Sequence, residues 1–224
     1  MKIDLHVHTS EVSRCGKLSA KEVVALYKEA GYDAICITNH FSEYTKNYHR
    51  SLGRLDWIKV FDDGYQLAKE EGEKVGLRVF KGYEFRCNKN DNDFLLYDLP
   101  TSIVENIDVM FNLPIKDCLK VLRENGVKIY QAHPFRNNTT VIDPALLDGV
   151  EIYNASNGRG YINDMAKVWA KEYPHLHGIS GSDCHTGNNV GYGGIITDRD
   201  IKNEKELIDC IQSGDYTIIE RYKD

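Results

Sequence analysis

The chain has 224 residues, 42% of them hydrophobic, with 28 Lys plus Arg against 34 Asp plus Glu for a net charge of −6. That length carries one large domain or two small ones, and the acidic balance provides no global field drawing the chain to nucleic acid. No run approaches the ~18 apolar residues of a membrane helix, no N-terminal stretch is laid out as a secretory leader, and the six cysteines form no C-x-x-C pair. The expectation is a reduced, cytoplasmic, single-domain protein over residues 1–224 with free thiols and no membrane partner.

Short apolar runs alternate with helical patterns along the chain. "KIDLHV" is the first strand, followed by helix "SAKEVVALYKEAG" with Ser19 as N-cap and Gly31 as stop. "DAICIT" is the second strand. The polar stretch "NHFSEYTKNYHRSLGR" leads to a long helix from about Leu55 to Val75. "LRVFKGYEF" and "DFLLYDL" are strands three and four, and "IKDCLKVLRENG" is a helix ending at Asn125-Gly126. "VKIYQAHP" and "GVEIYN" are strands five and six; helix "YINDMAKVWAKEY" precedes strand seven, "HGISGSD". "GGIIT" and "YTIIE" offer further short strands around helix "NEKELIDCIQSG". Such alternation implies right-handed βαβ units and a mostly parallel sheet, closed or nearly closed into a β/α barrel, with an open doubly wound sheet as the alternative.

In parallel β/α folds the C-terminal strand ends assemble the active site. Here those ends carry ligand-type side chains in succession: His6 and His8, His40, Glu84, Asp93, His133, then Asp183 and His185. On a strand, His-x-His turns both imidazoles to one side, where they can share a metal ion. Repetition of the pattern on one edge points to a metal centre. His175 and His177 fall at the opposite edge.

The ordered motifs D-L-H-V-H-T, T-N-H, G-Y-E, A-H-P and G-S-D-C-H, running from Asp4 to about Thr197, resemble the PHP (polymerase and histidinol phosphatase) family. The resemblance implies a distorted seven-stranded (β/α)7 barrel with two or three divalent metal ions at its C-terminal edge, and metal-dependent phosphoester hydrolysis. Carried over by position, it implies that His6, His8, Glu84 and Asp183 hold one ion. Glu84 bridges to a second, shared with His133, and His40 and His185 hold a third. Mixed imidazole and carboxylate ligation suits Zn, Mn or Fe better than Mg or Ca.

This sequence departs from the family pattern in three places. Where an Asp or His commonly feeds the third site, "SRCG" places Cys15, with Glu11 as the alternative donor. A thiolate there favours a softer metal. On strand four Asp93 stands where a His is common; it can ligate or remain a solvated loop carboxylate. Asn39 replaces an Asp and can orient a ligand from behind.

A phosphate substrate needs positive charge near the metals. Arg86 and Arg136 lie just beyond ligand positions and suit phosphate oxygens through their planar fork; Lys17 and Arg159 are further candidates, and Asn154 and Asn157 can line the same pocket. Tyr44, Tyr48, His49 and Trp57 either cap the site or pack on the long helix. Glu151 reads as a structural carboxylate pointing into the barrel. The expected mechanism is in-line attack by a metal-bridging hydroxide, with Asp183 and His185 as catalytic residues and His185 a candidate proton donor to the leaving group. The short acidic chain favours a small phosphomonoester and no stable nucleic-acid partner. The alternatives are a diesterase or exonuclease acting on short oligonucleotides, an amidohydrolase, and a metal-stabilised non-catalytic binding domain.

Overall fold

Strand β1 (Lys2–Val7) lies between β2 (Ala34–Ile37), parallel to it, and β9 (Gly193–Ile196), antiparallel to it, in a computed structural model that describes residues 1–88, 90–158 and 161–222. The remaining strands are β3 (His40–Phe41), β4 (Arg78–Phe85), β5 (Phe94–Tyr97), β6 (Ile129–Gln131), β7 (Gly149–Asn154), β8 (His177–Gly181) and β10 (Thr217–Glu220). The order across the sheet is β10-β9-β1-β2-β4-β5-β6-β7-β8, with β3 paired to β4. A parallel bridge between Val7 and Cys184 brings the end of β8 back to β1 and nearly closes the ring.

Two expectations are corrected. The sheet counts ten strands among the described residues, not seven, because β9, β10 and the two-residue β3 join it. It is also less parallel than the alternation suggests: β5 runs antiparallel to both β4 and β6, and β9 to both β1 and β10. The nearly closed, barrel-like sheet replaces the open doubly wound alternative.

The helices are α1 (Ala20–Glu29), α2 (Glu43–Ser51), α3 (Trp57–Val75), α4 (Thr101–Glu105), α5 (Ile107–Asn112), α6 (Ile115–Glu124), α7 (Tyr161–Glu172) and α8 (Glu204–Ser213). Ser19 caps α1 in a reciprocal capping box with Glu22, and Gly31 follows at φ +72°, which glycine adopts without steric cost. Within the polar stretch, α2 forms because Ser42 caps it and Lys46 and His49 bury against the body.

Side chains inside the ring and those facing the helices form separate clusters. Ile3, Leu5, Phe80, Leu95, Tyr97, Tyr130 and Ile179 pack together with Leu207 and Ile211 of α8. Val7, Ile35, Ile37 and Val79 pack on α1 instead. Phe41, wholly buried, meets the rings of Trp57, Phe61, Tyr83 and Phe111; burying one such side chain contributes about 1.5–3 kcal/mol. Trp57 and His49 stack on each other in this layer, so they pack and do not cap the site.

Candidate metal centre

A β-bulge re-aims the first strand. Between Asp4 and Val7, β1 spans one residue more than its partner segment Ile35–Ile37 of β2. Before the bulge Asp4 faces α1, where it accepts from Tyr27 Oη at 2.8 Å; after it His6 and His8 face the ring. His6 Nδ1 lies 3.0 Å from Glu151 Oε1, so the imidazole donates there and turns the Nε2 lone pair to the site. Ser13 Oγ gives its one proton to Asn39 Oδ1 at 2.8 Å, so it accepts from His8 Nδ1 at 3.1 Å, and His8 Nε2 likewise carries the lone pair. Glycine at 181 makes room: a Cβ there would stand 2.3 Å from His6 Cβ and 2.8 Å from Glu151 Oε1.

Two buried carboxylates face these nitrogens. His6 Nε2 is 3.4 Å from Glu84 Oε1 and 3.5 Å from Asp183 Oδ1. His8 Nε2 is 3.4 Å from Glu84 Oε2 and 3.3 Å from Asp183 Oδ1. His133 Nε2 meets Glu84 Oε1 at 2.8 Å, so the two oxygens of Glu84 look toward different ligand groups. Asp183 Oδ2 is taken by Arg136 at 2.7 Å and Asn154 Nδ2 at 3.2 Å, leaving Oδ1 for the cluster. His133 at φ +26° and Asp183 at φ +51° hold left-handed backbone, a strain of about 1–3 kcal/mol each that gathers at functional sites.

Among the described residues, five of the six buried side-chain nitrogen and oxygen atoms without a hydrogen-bond partner belong here: His6 Nε2, His8 Nε2, Glu84 Oε2, His133 Nδ1 and Asp183 Oδ1. Three overlapping donor groups converge: His6–His8–Asp183, His6–Glu84–His133 and His8–His40–His185. Ligand atoms bound at ~2.0–2.2 Å around a tetrahedral ion stand ~3.3–3.6 Å apart, which matches the contacts His6 and His8 make with Glu84 and Asp183. The donor set fits divalent transition ions.

The electrostatics agree. Burial alone would raise Glu84, but the imidazoles of His40 and His6 and the hydrogen bond from His133 hold its carboxyl well below the usual range. Asp183 is likewise held down against burial by His6, His185, His8 and Arg136. Burial and the neighbouring His185 and His40 push His8 well below its ordinary value, which keeps it neutral. His6 is raised well above its ordinary value despite burial by Asp183, Glu151 and Glu84, so its Nε2 holds a proton that a bound cation would displace. The carboxylates thus attract a cation to the point where the lone pairs meet.

At the mouth, His40 Nδ1 faces Glu84 Oε2 at 2.5 Å while its Nε2 lies 3.1 Å from Cys15 Sγ. His185 Nδ1 is 3.0 Å from the carbonyl and 3.2 Å from Oδ1 of Asp183. Burial pushes the Cys15 thiol up, but hydrogen bonds from His185 and His40 outweigh it and bring it down to about 6. For His185, burial is overcome by Asp183 and Cys15, which raise it to about 10. Glu11, the alternative donor in this loop, is turned away, with both oxygens on the amide of Ala20.

The other candidates divide. Asp93 is buried but spends both oxygens on a fork from Arg86; His133 Nε2 is 3.8 Å away, and Asp93 stands outside the three donor groups. The fixed cation of Arg86 pairs with that carboxylate. Arg136 lines the same cavity of about 290 Å³ as His133 and Asp183, oriented by Asn157 at 2.7 Å and Asn154 at 3.0 Å. An adjoining cavity of about 430 Å³ is lined by Arg14, Cys15, Lys17, Tyr44 and Arg86, with Lys17 exposed at its edge. Arg159 lies outside the described residues. Sequence reasoning treats Glu151 as structural and passes over Ser13. Yet Glu151 orients His6, accepts from the His133 amide at 2.8 Å and holds Asn154, so it ties three strand ends together. A lone charge amid the apolar run "GVEIYN" is the signal that marks it.

The PHP domain model matches residues 4–187, and a PHP-associated model matches residues 160–216. This chain belongs to the PHP domain family. An uncharacterized protein of Methanocaldococcus jannaschii is 24% identical over 183 residues, covering 74% of this chain and 89% of that protein. A two-domain protein from Bacteroides vulgatus, described as containing a predicted PHP-like metal-dependent phosphoesterase, superposes with a TM-score of 0.70 at 22% identity. That match covers 99% of this chain, which spans only 65% of that protein's length. An amidohydrolase from Chromobacterium violaceum, solved with bound sulfate and no metal, shares the fold at a TM-score of 0.52 and 14% identity, covering 86% of this chain and 90% of that one. No described helix is long and apolar enough to cross a membrane.

Proposed function

We propose that this chain is a metal-dependent phosphoesterase that hydrolyses a small phosphomonoester. The observation that carries the reading is the convergence of three overlapping donor groups, His6–His8–Asp183, His6–Glu84–His133 and His8–His40–His185, at one end of the sheet. His6, His8, Glu84 and Asp183 would hold one ion, Glu84 and His133 a second, and His40 and His185 a third, in a barrel of the family's seven-stranded kind with further strands added. When bound, such ions supply Lewis acidity toward phosphoryl oxygens and toward water.

The chain's own residues supply the rest. Arg136, anchored by Asn154 and Asn157, offers its guanidinium to the phosphoryl oxygens beside Asp183. Arg86 is committed to Asp93 along one edge and offers the other. Where the third subsite holds no ion, Asp183 fixes His185, which then gives its proton to the leaving oxygen. Cavities of about 290 and 430 Å³ accept a small molecule.

The test is turnover of p-nitrophenyl phosphate against bis-p-nitrophenyl phosphate, after chelation and add-back of manganese or zinc. Monoester turnover that vanishes on chelation and returns with metal is the expected result. Preference for the diester would move the function to short oligonucleotides. Metal uptake without turnover of either ester would make the chain a binding domain, and turnover of amides alone would place it with the amidohydrolase neighbour.

A further inference from the structure

We infer that Asn163, on the inward face of α7, is a positioning residue: acting through Asn154 and Asn157, it fixes the guanidinium of Arg136 in the orientation that receives a phosphoryl group. The part played by the phosphoryl group rests on the proposed function; the fixing of Arg136 does not.

Helix α7 packs on β7, and its buried residues are Asn163 and Ala166. The inward face of such a helix is ordinarily apolar, so a side-chain amide only 1% exposed needs a reason. Both of its polar atoms are used. Asn163 Oδ1 accepts from the Asn154 amide at 3.1 Å and from Asn157 Nδ2 at 2.9 Å, and its Nδ2 donates to the Asn154 carbonyl at 3.1 Å. It therefore grips the last residue of β7 by both backbone groups and holds the donor end of Asn157.

That grip decides which atoms face Arg136. A side-chain amide donates at one end and accepts at the other. With Nδ2 of Asn157 held by Asn163, its Oδ1 accepts from Arg136 Nε at 2.7 Å. With the backbone of Asn154 held, its Oδ1 accepts from Arg136 Nη2 at 3.0 Å while its Nδ2 donates to Glu151 and Asp183. Asp183 Oδ2 takes Nη2 as well, at 2.7 Å. Among the described residues nothing takes Nη1, which is the nitrogen left for a phosphoryl oxygen. A loose arginine loses rotamer freedom when it binds an anion, whereas this one has lost it already in the fold.

Heteronuclear NMR of the Arg136 Nε–H group, assigned by its loss in Arg136→Lys, reads the positioning without any turnover. The wild type is expected to show a slowly exchanging Nε–H signal that disappears in Asn163→Ala. Calorimetry with inorganic phosphate and the manganese-loaded protein reads the consequence. Asn163→Ala is expected to weaken phosphate binding by about tenfold, and to weaken it no further when added to Arg136→Ala. Asn163→Ser, one atom shorter and with a single hydroxyl, takes the place of the alanine variant if that one does not fold, with the same losses expected. A Nε–H signal that survives these substitutions overturns the positioning role. So does an equal loss of phosphate affinity with and without Arg136, which would make Asn163 no more than a tie between helix and strand. A wild type that shows the signal but binds no phosphate defeats the phosphoesterase reading, and the signal alone then decides whether Asn163 fixes Arg136.

Discussion

Where the strands begin, Asp148 accepts from Lys128 at 2.9 Å, Arg123 at 3.3 Å and the Ile129 amide at 3.1 Å. Where they finish, Glu84 Oε2 and Asp183 Oδ1 are more deeply buried and meet the imidazole nitrogens of the candidate ligands, His8 and His40 at Glu84 and His6, His8 and His185 at Asp183. Both ends use carboxylates, but one pairs its charge with lysine and arginine and the other gathers its charges among imidazoles. Each buried, unmet polar atom costs roughly 1–3 kcal/mol, so a fold gathers nitrogens such as His6 Nε2 and His8 Nε2 only where something offsets them. The contrast separates a structural edge from a functional one more sharply than residue identity does.

Asp183→Asn breaks the functional end most. It removes an anionic oxygen from the donor groups, and turnover with added metal is expected to fall by more than the ~100-fold that loss of an outer partner costs. The same variant should lose the thermal stabilisation that metal gives the wild type, about 2.7 kcal/mol at a hundred times Kd; calorimetry with and without metal reads it. Glu151→Gln keeps the shape but takes away the carboxylate that fixes His6, and metal affinity by competitive chelation is expected to weaken by about 10–100-fold.

Alkylation of the metal-free protein sharpens the comparison within one residue type. All six cysteines are free thiols, but only Cys15 is exposed. Because its thiol is held at about 6, the iodoacetamide rate should rise with pH through that value and level off above it, as the reactive thiolate fills, while the buried five stay unlabelled. Bound metal should protect Cys15. The smallest effect belongs to the structural end: Lys128→Ala removes a half-exposed partner of Asp148 and should cost under about 1 kcal/mol in denaturant unfolding, with turnover unchanged.

The sequence pattern made much of the fold legible. The apolar runs at β1, β2, β4, β7 and β8 and the helices α1, α3, α6, α7 and α8 lie where hydrophobic spacing and turn residues put them. The polar face of α2 hid a helix, because its stability comes from packing Lys46 and His49 and not from an apolar stripe. Helices α4 and α5, of five and six residues, are too short to show a period. The reversed direction of β5 left no trace, since "FLLY" reads alike in a parallel or an antiparallel pairing.

By itself the sequence determined which chemistry is present and in what order: imidazoles and carboxylates recur at the ends of successive apolar runs, and local patterning is enough to fix that. The tertiary structure alone decided which of them converge. The bulge between Asp4 and Val7 turns His6 and His8 inward, Arg86 pairs with Asp93, and the loop presents Cys15 while Glu11 caps a helix. Those choices depend on contacts between residues far apart in the chain, where burial makes every unpaired charge costly and so selects one arrangement among several that the local sequence allows.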